Sequence, residues 1–89
     1  MRILFMGTPE FAVPSLLALL DEHEVVAVVT QPDRKSGRGL KYTYSPIKAA
    51  ALDHGLPVLQ PERIGSPEIL PQLEAYQADL FVVVAFGQK

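Results

Sequence analysis

Basic side chains are concentrated in one segment of this 89-residue sequence. The stretch from Gln31 to Lys48 contains a single acidic residue, Asp33, and five basic ones: Arg34, Lys35, Arg38, Lys41 and Lys48. The rest of the chain has three basic and nine acidic residues, so a basic segment stands on an acidic body. Arginine offers a planar fork that matches phosphate oxygens, and lysine adds a compact charge. We therefore predict a surface that attracts a polyanion, with a merely solvated charged loop as the alternative.

Two glycines and two tyrosines accompany these charges. Gly37 and Gly39 flank Arg38, which would let the segment lie close against a phosphate backbone. Tyr42 and Tyr44 are suited to stacking on unpaired bases, or alternatively to packing on the helix behind them. The whole segment is thus typical of a nucleic-acid contact.

The residue types and their spacing give little indication of a catalytic, metal or dinucleotide site. The sequence has no cysteine, and its two histidines, His23 and His54, fall where helices are predicted to end. An imidazolium interacts favourably with the helix dipole there, and neither histidine has metal-ligand spacing. After the first predicted strand the chain reads G-T-P-E-F-A, which lacks the glycines of a dinucleotide-binding turn. We predict no catalytic residue, no metal site and no NAD site from these patterns.

Four apolar runs define the strands that must position the basic segment. They cover residues 2–6, 24–30, 57–59 and 79–85, and helices are predicted over 13–21, 46–54 and 70–76. Thr8 followed by Pro9 indicates an N-cap, Ser45 followed by Pro46 indicates a second, and Gly55 indicates a helix end. Residues 31–44 have no apolar period, so we predict a long loop there.

The order βαβαβαβ predicts an α/β fold, a partial Rossmann-like open parallel sheet with right-handed crossovers. The fourth strand is apolar on both faces, as in an inner strand, and no helix follows it. We therefore expect residues 1–89 to be the N-terminal part of a longer domain, truncated after its fourth strand, with no second domain in this chain. No apolar run approaches the roughly 18–20 residues that cross a bilayer, and we expect a cytoplasmic location.

Several segments together resemble the start of the methionyl-tRNA formyltransferase family. They match in order and at family spacing over the whole chain, and they are G-T-P-E-F-A-V-P at 7–14, V-V-T-Q-P-D-R at 28–34, G-R-G at 37–39, S-P-I-K at 45–48, G-L-P-V at 55–58 and V-V-A-F-G-Q at 83–88. Lys35-Ser36, Leu40 and Tyr44 depart from the residues that are frequent in that family.

The resemblance implies transfer of a formyl group from formyl-tetrahydrofolate, a co-substrate, to the methionyl amine of initiator tRNA in translation initiation. It implies that the basic segment approaches the tRNA acceptor end through Arg34, Lys35, Arg38 and Lys41, with Arg38 the most important. It also implies that Phe11, Phe86, Gly87 and Gln88 lie at the edge of the substrate and folate pockets. The family's catalytic Asn, His and Asp would follow Lys89, so none is carried over, and we expect the 89-residue chain alone to be inactive.

Two alternatives stay open. One is another folate-dependent formyltransferase that acts on a small amine such as a sugar nucleotide. The basic segment argues against it, because a small substrate needs no phosphate-tracking surface. The other is a non-catalytic Rossmann-like module that binds tRNA.

Overall fold

The computed structural model describes residues 1–32, 34–36, 41–62 and 67–84, with 34–36 and 41–43 described by their backbone alone. In chain order the elements are β1 (Arg2–Gly7), α1 (Val13–Glu22), β2 (Glu24–Val29), β3 (Arg34–Ser36), β4 (Lys41–Thr43), α2 (Pro46–Asp53), β5 (Val58–Leu59), α3 (Leu70–Ala75) and β6 (Leu80–Val84). A short 3-10 turn, Glu10–Ala12, precedes α1. The predicted α/β class and the four parallel strands are confirmed.

The parallel sheet has the strand order β5-β2-β1-β6. Phe5 and Val28 face α1 and α2 in one apolar cluster that includes Leu16, Ile47 and Ala51, all of them buried. Leu4, Met6, Ala27 and Val29 face the other way and pack against Ile69 and Leu73 around α3. The sheet therefore has helices on both faces, which is why β1 and β2 are apolar at almost every position.

The strand order reverses direction at β1. The chain moves outward from β1 to β2 and then to β5, and returns through α3 to add β6 on the opposite side of β1. Open α/β sheets bind ligands in the crevice that such a reversal creates, which here falls at the C-terminal ends of β1 and β6.

Strand β6 lies at an edge of this sheet and not inside it. Among the described strands it pairs only with β1, and Leu80, Phe81 and Val83 are exposed. Its composition resembles that of an inner strand, but the described part of the chain provides no strand on its outer side.

The prediction of a long loop over 31–44 is wrong. The backbones of β3 and β4 form an antiparallel hairpin, with Arg34 opposite Thr43, Lys35 opposite Tyr42 and Ser36 opposite Lys41. Antiparallel pairing is made by main-chain hydrogen bonds, so it requires no apolar period in the sequence. We call residues 34–43 the basic hairpin; residues 37–40, which include Arg38, lie outside the described residues.

Gly7 is the point of closest approach between β1 and β6. A Cβ atom added there would lie 2.9 Å from the carbonyl oxygen of Val84, 2.9 Å from Cε2 of Phe5 and 3.3 Å from Cβ of Ala12. The backbone oxygen of a paired strand cannot yield as the end of a side chain can. A glycine is therefore required at this position to keep β1 and β6 in register.

We expect Gly7→Ala to lower the free energy of unfolding of the full-length protein by about 1–3 kcal/mol, the usual cost of overpacking. Urea unfolding followed by circular dichroism measures the change. Gly55→Asn is the control, because Gly55 has φ +68 and open space around its Cβ, a conformation that Asn tolerates. Equal, small losses in both variants would contradict the close approach.

Candidate functional site

The C-terminal edge of the sheet brings together the ends of β1, β2 and β5. Gly7 ends the first strand and Thr8 follows it, Thr30 and Gln31 follow the second, and Gln60 follows β5. The segment after β6, with the predicted site residues Phe86, Gly87 and Gln88, lies outside the described residues. The edge is thus described on the side of β1 and β2, where the basic hairpin begins.

Phe11 lies on the 3-10 turn that directly follows β1. Its neighbour Ala12 is buried in the core, whereas the Phe11 side chain is 70% exposed. The turn is fixed by Ala12, whose N–H donates to the carbonyl oxygen of Pro9 at 3.0 Å. An exposed aromatic ring is therefore held shortly after the C-terminal end of β1, and its place at a pocket edge stays a prediction.

A chain of hydroxyl groups crosses this edge beneath the hairpin. The hydroxyl oxygens of Thr30 and Ser45 are 2.8 Å apart, and the Thr30 hydroxyl donates to that of Thr8 at 3.4 Å. The backbone N–H of Gln31 donates to the Thr8 hydroxyl at 3.2 Å. Thr30 is fully buried, and these contacts satisfy its hydroxyl group.

These hydrogen bonds also correct the interpretation of Thr8. Its side chain makes no cap for the following turn, where Pro9 is the N-cap residue without a side-chain hydrogen bond. The hydroxyl instead accepts from Gln31, across the sheet on the neighbouring strand. A threonine hydroxyl that could accept from the first turn of a helix can also accept from a donor that is distant in sequence. Here the Thr8 hydroxyl accepts from the distant N–H of Gln31.

The base of the basic hairpin is consequently fixed at both ends. Before it, the Gln31 carbonyl oxygen accepts from Nε2 of Gln60 at 3.2 Å, and Thr30 N–H donates to the Leu59 carbonyl oxygen at 3.0 Å. After it, Ser45 caps α2 by accepting from the N–H of Lys48 at 3.1 Å. The hairpin therefore leaves the sheet from a defined point.

We expect Ser45→Ala to lower the free energy of unfolding by about 1–2 kcal/mol. The substitution removes the cap of α2 and leaves the buried Thr30 hydroxyl without its nearest partner. Thermal unfolding of the full-length protein measures the loss. Ser45→Thr keeps a hydroxyl and serves as the control, so a loss equal to that of the alanine variant would argue against the hydroxyl chain.

Four basic residues were predicted to bind nucleic acid, and the structure places three of them on the backbone of the hairpin. Arg34 and Lys35 belong to β3 and Lys41 to β4, while Arg38 lies outside the described residues. Lys48 belongs to α2, and its Nζ atom is 4.1 Å from the centroid of the Tyr44 ring. Tyr44 itself is 54% exposed. One tyrosine of the predicted pair is thus at the surface, beside the hairpin.

The histidines occupy the places that the sequence predicts. His23 is the C-cap residue of α1 and His54 that of α2. The N–H of His23 donates to the Leu19 carbonyl oxygen at 2.8 Å, and Gly55 follows His54 with φ +68. Within residues 1–32, 34–36, 41–62 and 67–84, no group of three or more His, Asp or Glu residues is arranged to hold a metal ion.

One cavity at this edge was not predicted. It lies between the end of β5 and the start of α3, has a volume of about 420 Å³, and is lined by Leu59, Gln60, Pro61, Glu62, Glu68, Ile69 and Gln72. The hydroxyl chain was also missed, since Thr8, Thr30 and Ser45 are far apart in sequence and meet only after the sheet forms. No helix in the described part of the chain is long and apolar enough to span a membrane.

The structure defines an α/β protein with a parallel sheet whose strand order reverses at β1 and a basic hairpin that follows β2. Comparison with known proteins gives the family of this chain. The family model described as formyl transferase matches residues 1–88, and the chain belongs to this family. The predicted family resemblance is thereby confirmed.

Within the family, the similar relatives are named methionyl-tRNA formyltransferase. The chain is 58% identical over 88 residues to the protein of Hydrogenovibrio crunogenus, 60% over 87 residues to that of Xanthomonas axonopodis pv. citri, and 59% over 88 residues to that of Trichlorobacter lovleyi. Each match covers 98% of this chain. The chain spans 28% of the length of each of these curated relatives.

Proposed function

We propose that the protein carrying this chain transfers a formyl group from formyl-tetrahydrofolate to the methionyl amine of initiator tRNA, in the cytoplasm, at the start of translation. Residues 1–89 are the N-terminal part of its formyltransferase domain. The observation that carries the proposal is the identity of 58–60% to methionyl-tRNA formyltransferases, sustained over 98% of the chain. That span includes the whole basic hairpin.

The geometry supports an RNA partner. The basic hairpin follows β2, and the crevice lies between β1 and β6, so the two features leave the sheet from neighbouring strands, about 5–10 Å apart at their bases. A polyanion bound along the hairpin would therefore have one part near the C-terminal ends of β1 and β6. In this proposal Arg34, Lys35, Arg38 and Lys41 supply the phosphate contacts, and Phe11, Phe86, Gly87 and Gln88 belong to the edge of the substrate and folate pockets.

The chemical step is assigned to residues beyond this chain. The sequence contains no asparagine, so a catalytic set built on Asn, His and Asp cannot lie within residues 1–89. What this chain contributes is therefore binding and positioning: charge to hold the acceptor end and an aromatic edge to the pocket. This division is the reason for expecting the isolated chain to be inactive.

The test uses the full-length protein with formyl-tetrahydrofolate and two acceptors, initiator methionyl-tRNA and an amino-sugar nucleotide. We expect formyl-methionyl-tRNA to form and the small amine to remain unmodified. Formylation of the small amine with inert tRNA would favour the alternative formyltransferase. Tight tRNA binding without formyl transfer would favour the non-catalytic module, and either result overturns the proposal.

A further inference from the structure

An aromatic side chain is exposed at the point where the basic hairpin meets α2. Tyr44 follows β4 directly, and 54% of its surface is accessible. The Nζ atom of Lys48 lies 4.1 Å from the centroid of its ring, well inside the range of a cation–π contact. A tyrosine ring and a lysine charge are thus presented together.

The pair is held in place by the start of α2. Ser45, between the two residues, caps the helix by accepting from Lys48 N–H at 3.1 Å. The Ser45 hydroxyl is 2.8 Å from that of Thr30, which is buried in the sheet. Tyr44 directly precedes the cap residue, and Lys48 lies in the first turn of α2. The same cap therefore sets the distance between ring and charge and ties both to the sheet.

We propose that Tyr44 and Lys48 form a stacking site for one unpaired nucleotide of an RNA substrate. The inference rests on the proposed function and deepens it, since it assigns a contact to the single-stranded end of the acceptor arm. The exposed face of the Tyr44 ring stacks on the base, and the ammonium group of Lys48 attracts the adjacent phosphate. Stacking requires a base that is free of its helix, so a fully paired duplex cannot use this site.

The electrostatic setting favours a nucleic acid over an acidic or apolar protein segment. The stretch 31–48 has five basic residues and one acidic residue, and an extended polyanion meets this charge at every nucleotide. An apolar partner would require a continuous apolar patch, whereas Tyr44 is described beside the polar residues Ser45 and Lys48. One aromatic ring beside one ammonium group fits a single nucleotide, which has one base and one phosphate.

The experiment measures binding of the full-length protein to two hairpin RNAs that share a duplex stem. One ends in a four-nucleotide 3′ overhang and the other is blunt. Tyr44→Ala is expected to weaken binding of the overhang RNA by about 5- to 150-fold, the range for losing one stacked base, and to leave the blunt RNA unchanged. Tyr44→Phe, which keeps the ring, stays within about twofold of wild type. Lys48→Gln makes the log–log salt dependence shallower by about 0.7 for the overhang RNA.

Leu52→Ala is the matched control, because Leu52 is exposed on the same helix and should leave both affinities unchanged. Unchanged overhang binding in Tyr44→Ala, or an equal loss on the blunt RNA, overturns the stacking site. If that occurs while the wild-type protein still formylates methionyl-tRNA, the proposed function stands and only this inference fails. If the wild-type protein binds neither RNA, the stacking site fails, and if it also does not formylate methionyl-tRNA, the proposed function fails with it.

Discussion

Phe5→Ala is expected to lower the free energy of unfolding by about 3–5 kcal/mol, whereas Phe11→Ala should change it by less than about 0.5 kcal/mol. Phe5 is fully buried in β1 and packs in the cluster beneath α1 and α2. Its removal leaves a cavity in the sheet that positions the whole edge. Phe11 is only six residues away, but 70% of its side chain is already in water. Urea unfolding of the full-length protein measures both losses.

The same pair separates structure from function. If Phe11 lies at the pocket edge as we propose, Phe11→Ala should fold normally and lose kcat/KM for formyl transfer. Phe5→Ala should instead lower the amount of folded protein, because its expected loss is a large share of the roughly 5–15 kcal/mol free energy of unfolding that is typical of a domain. Equal unfolding losses in the two variants would mean that Phe11 is part of the core. If kcat/KM for formyl transfer is unchanged in Phe11→Ala, Phe11 does not contribute to the site.

Arg38→Ala is expected to weaken productive tRNA use by about 1–3 kcal/mol, which corresponds to about 5- to 150-fold in kcat/KM. Arg38 stands between two glycines in the most basic stretch of an acidic chain. The loss of one phosphate contact should also make the log–log salt dependence of tRNA affinity shallower by about 0.7–0.9. Arg38→Lys should recover only part of the loss, because the forked geometry is missing.

Arg2→Lys is the matched control for this prediction. Arg2 lies at the opposite edge of the sheet, where its guanidinium donates to the Tyr76 carbonyl oxygen at 2.7 Å and to Glu24 Oε2 at 3.1 Å. The variant should lose some stability and keep the salt dependence of tRNA affinity. If Arg38→Ala has wild-type tRNA kinetics and an unchanged salt slope, the hairpin is solvated charge and makes no contact with RNA.

Strands β1 and β2 were predictable because burial on both faces leaves a continuous apolar run in the sequence. Ser45 and Gly55 were also predictable, since a cap and a left-handed helix end depend on local backbone geometry. The hairpin could not be predicted, because its strands pair through main-chain groups and its base is closed by a contact between Thr30 and Ser45, which are distant in sequence. The role of Gly7 was hidden for a similar reason. It depends on which strand lies beside β1, and the alternation of strands and helices does not give that order.

The closure of the hairpin base has a consequence for how such a chain diverges. Its two ends are 15 residues apart in sequence at Thr30 and Ser45, yet their hydroxyl oxygens are 2.8 Å apart. We therefore expect insertions and substitutions within residues 34–43 to leave the sheet and its two apolar clusters in place. The hairpin can then change in length and charge during evolution while the domain keeps its fold.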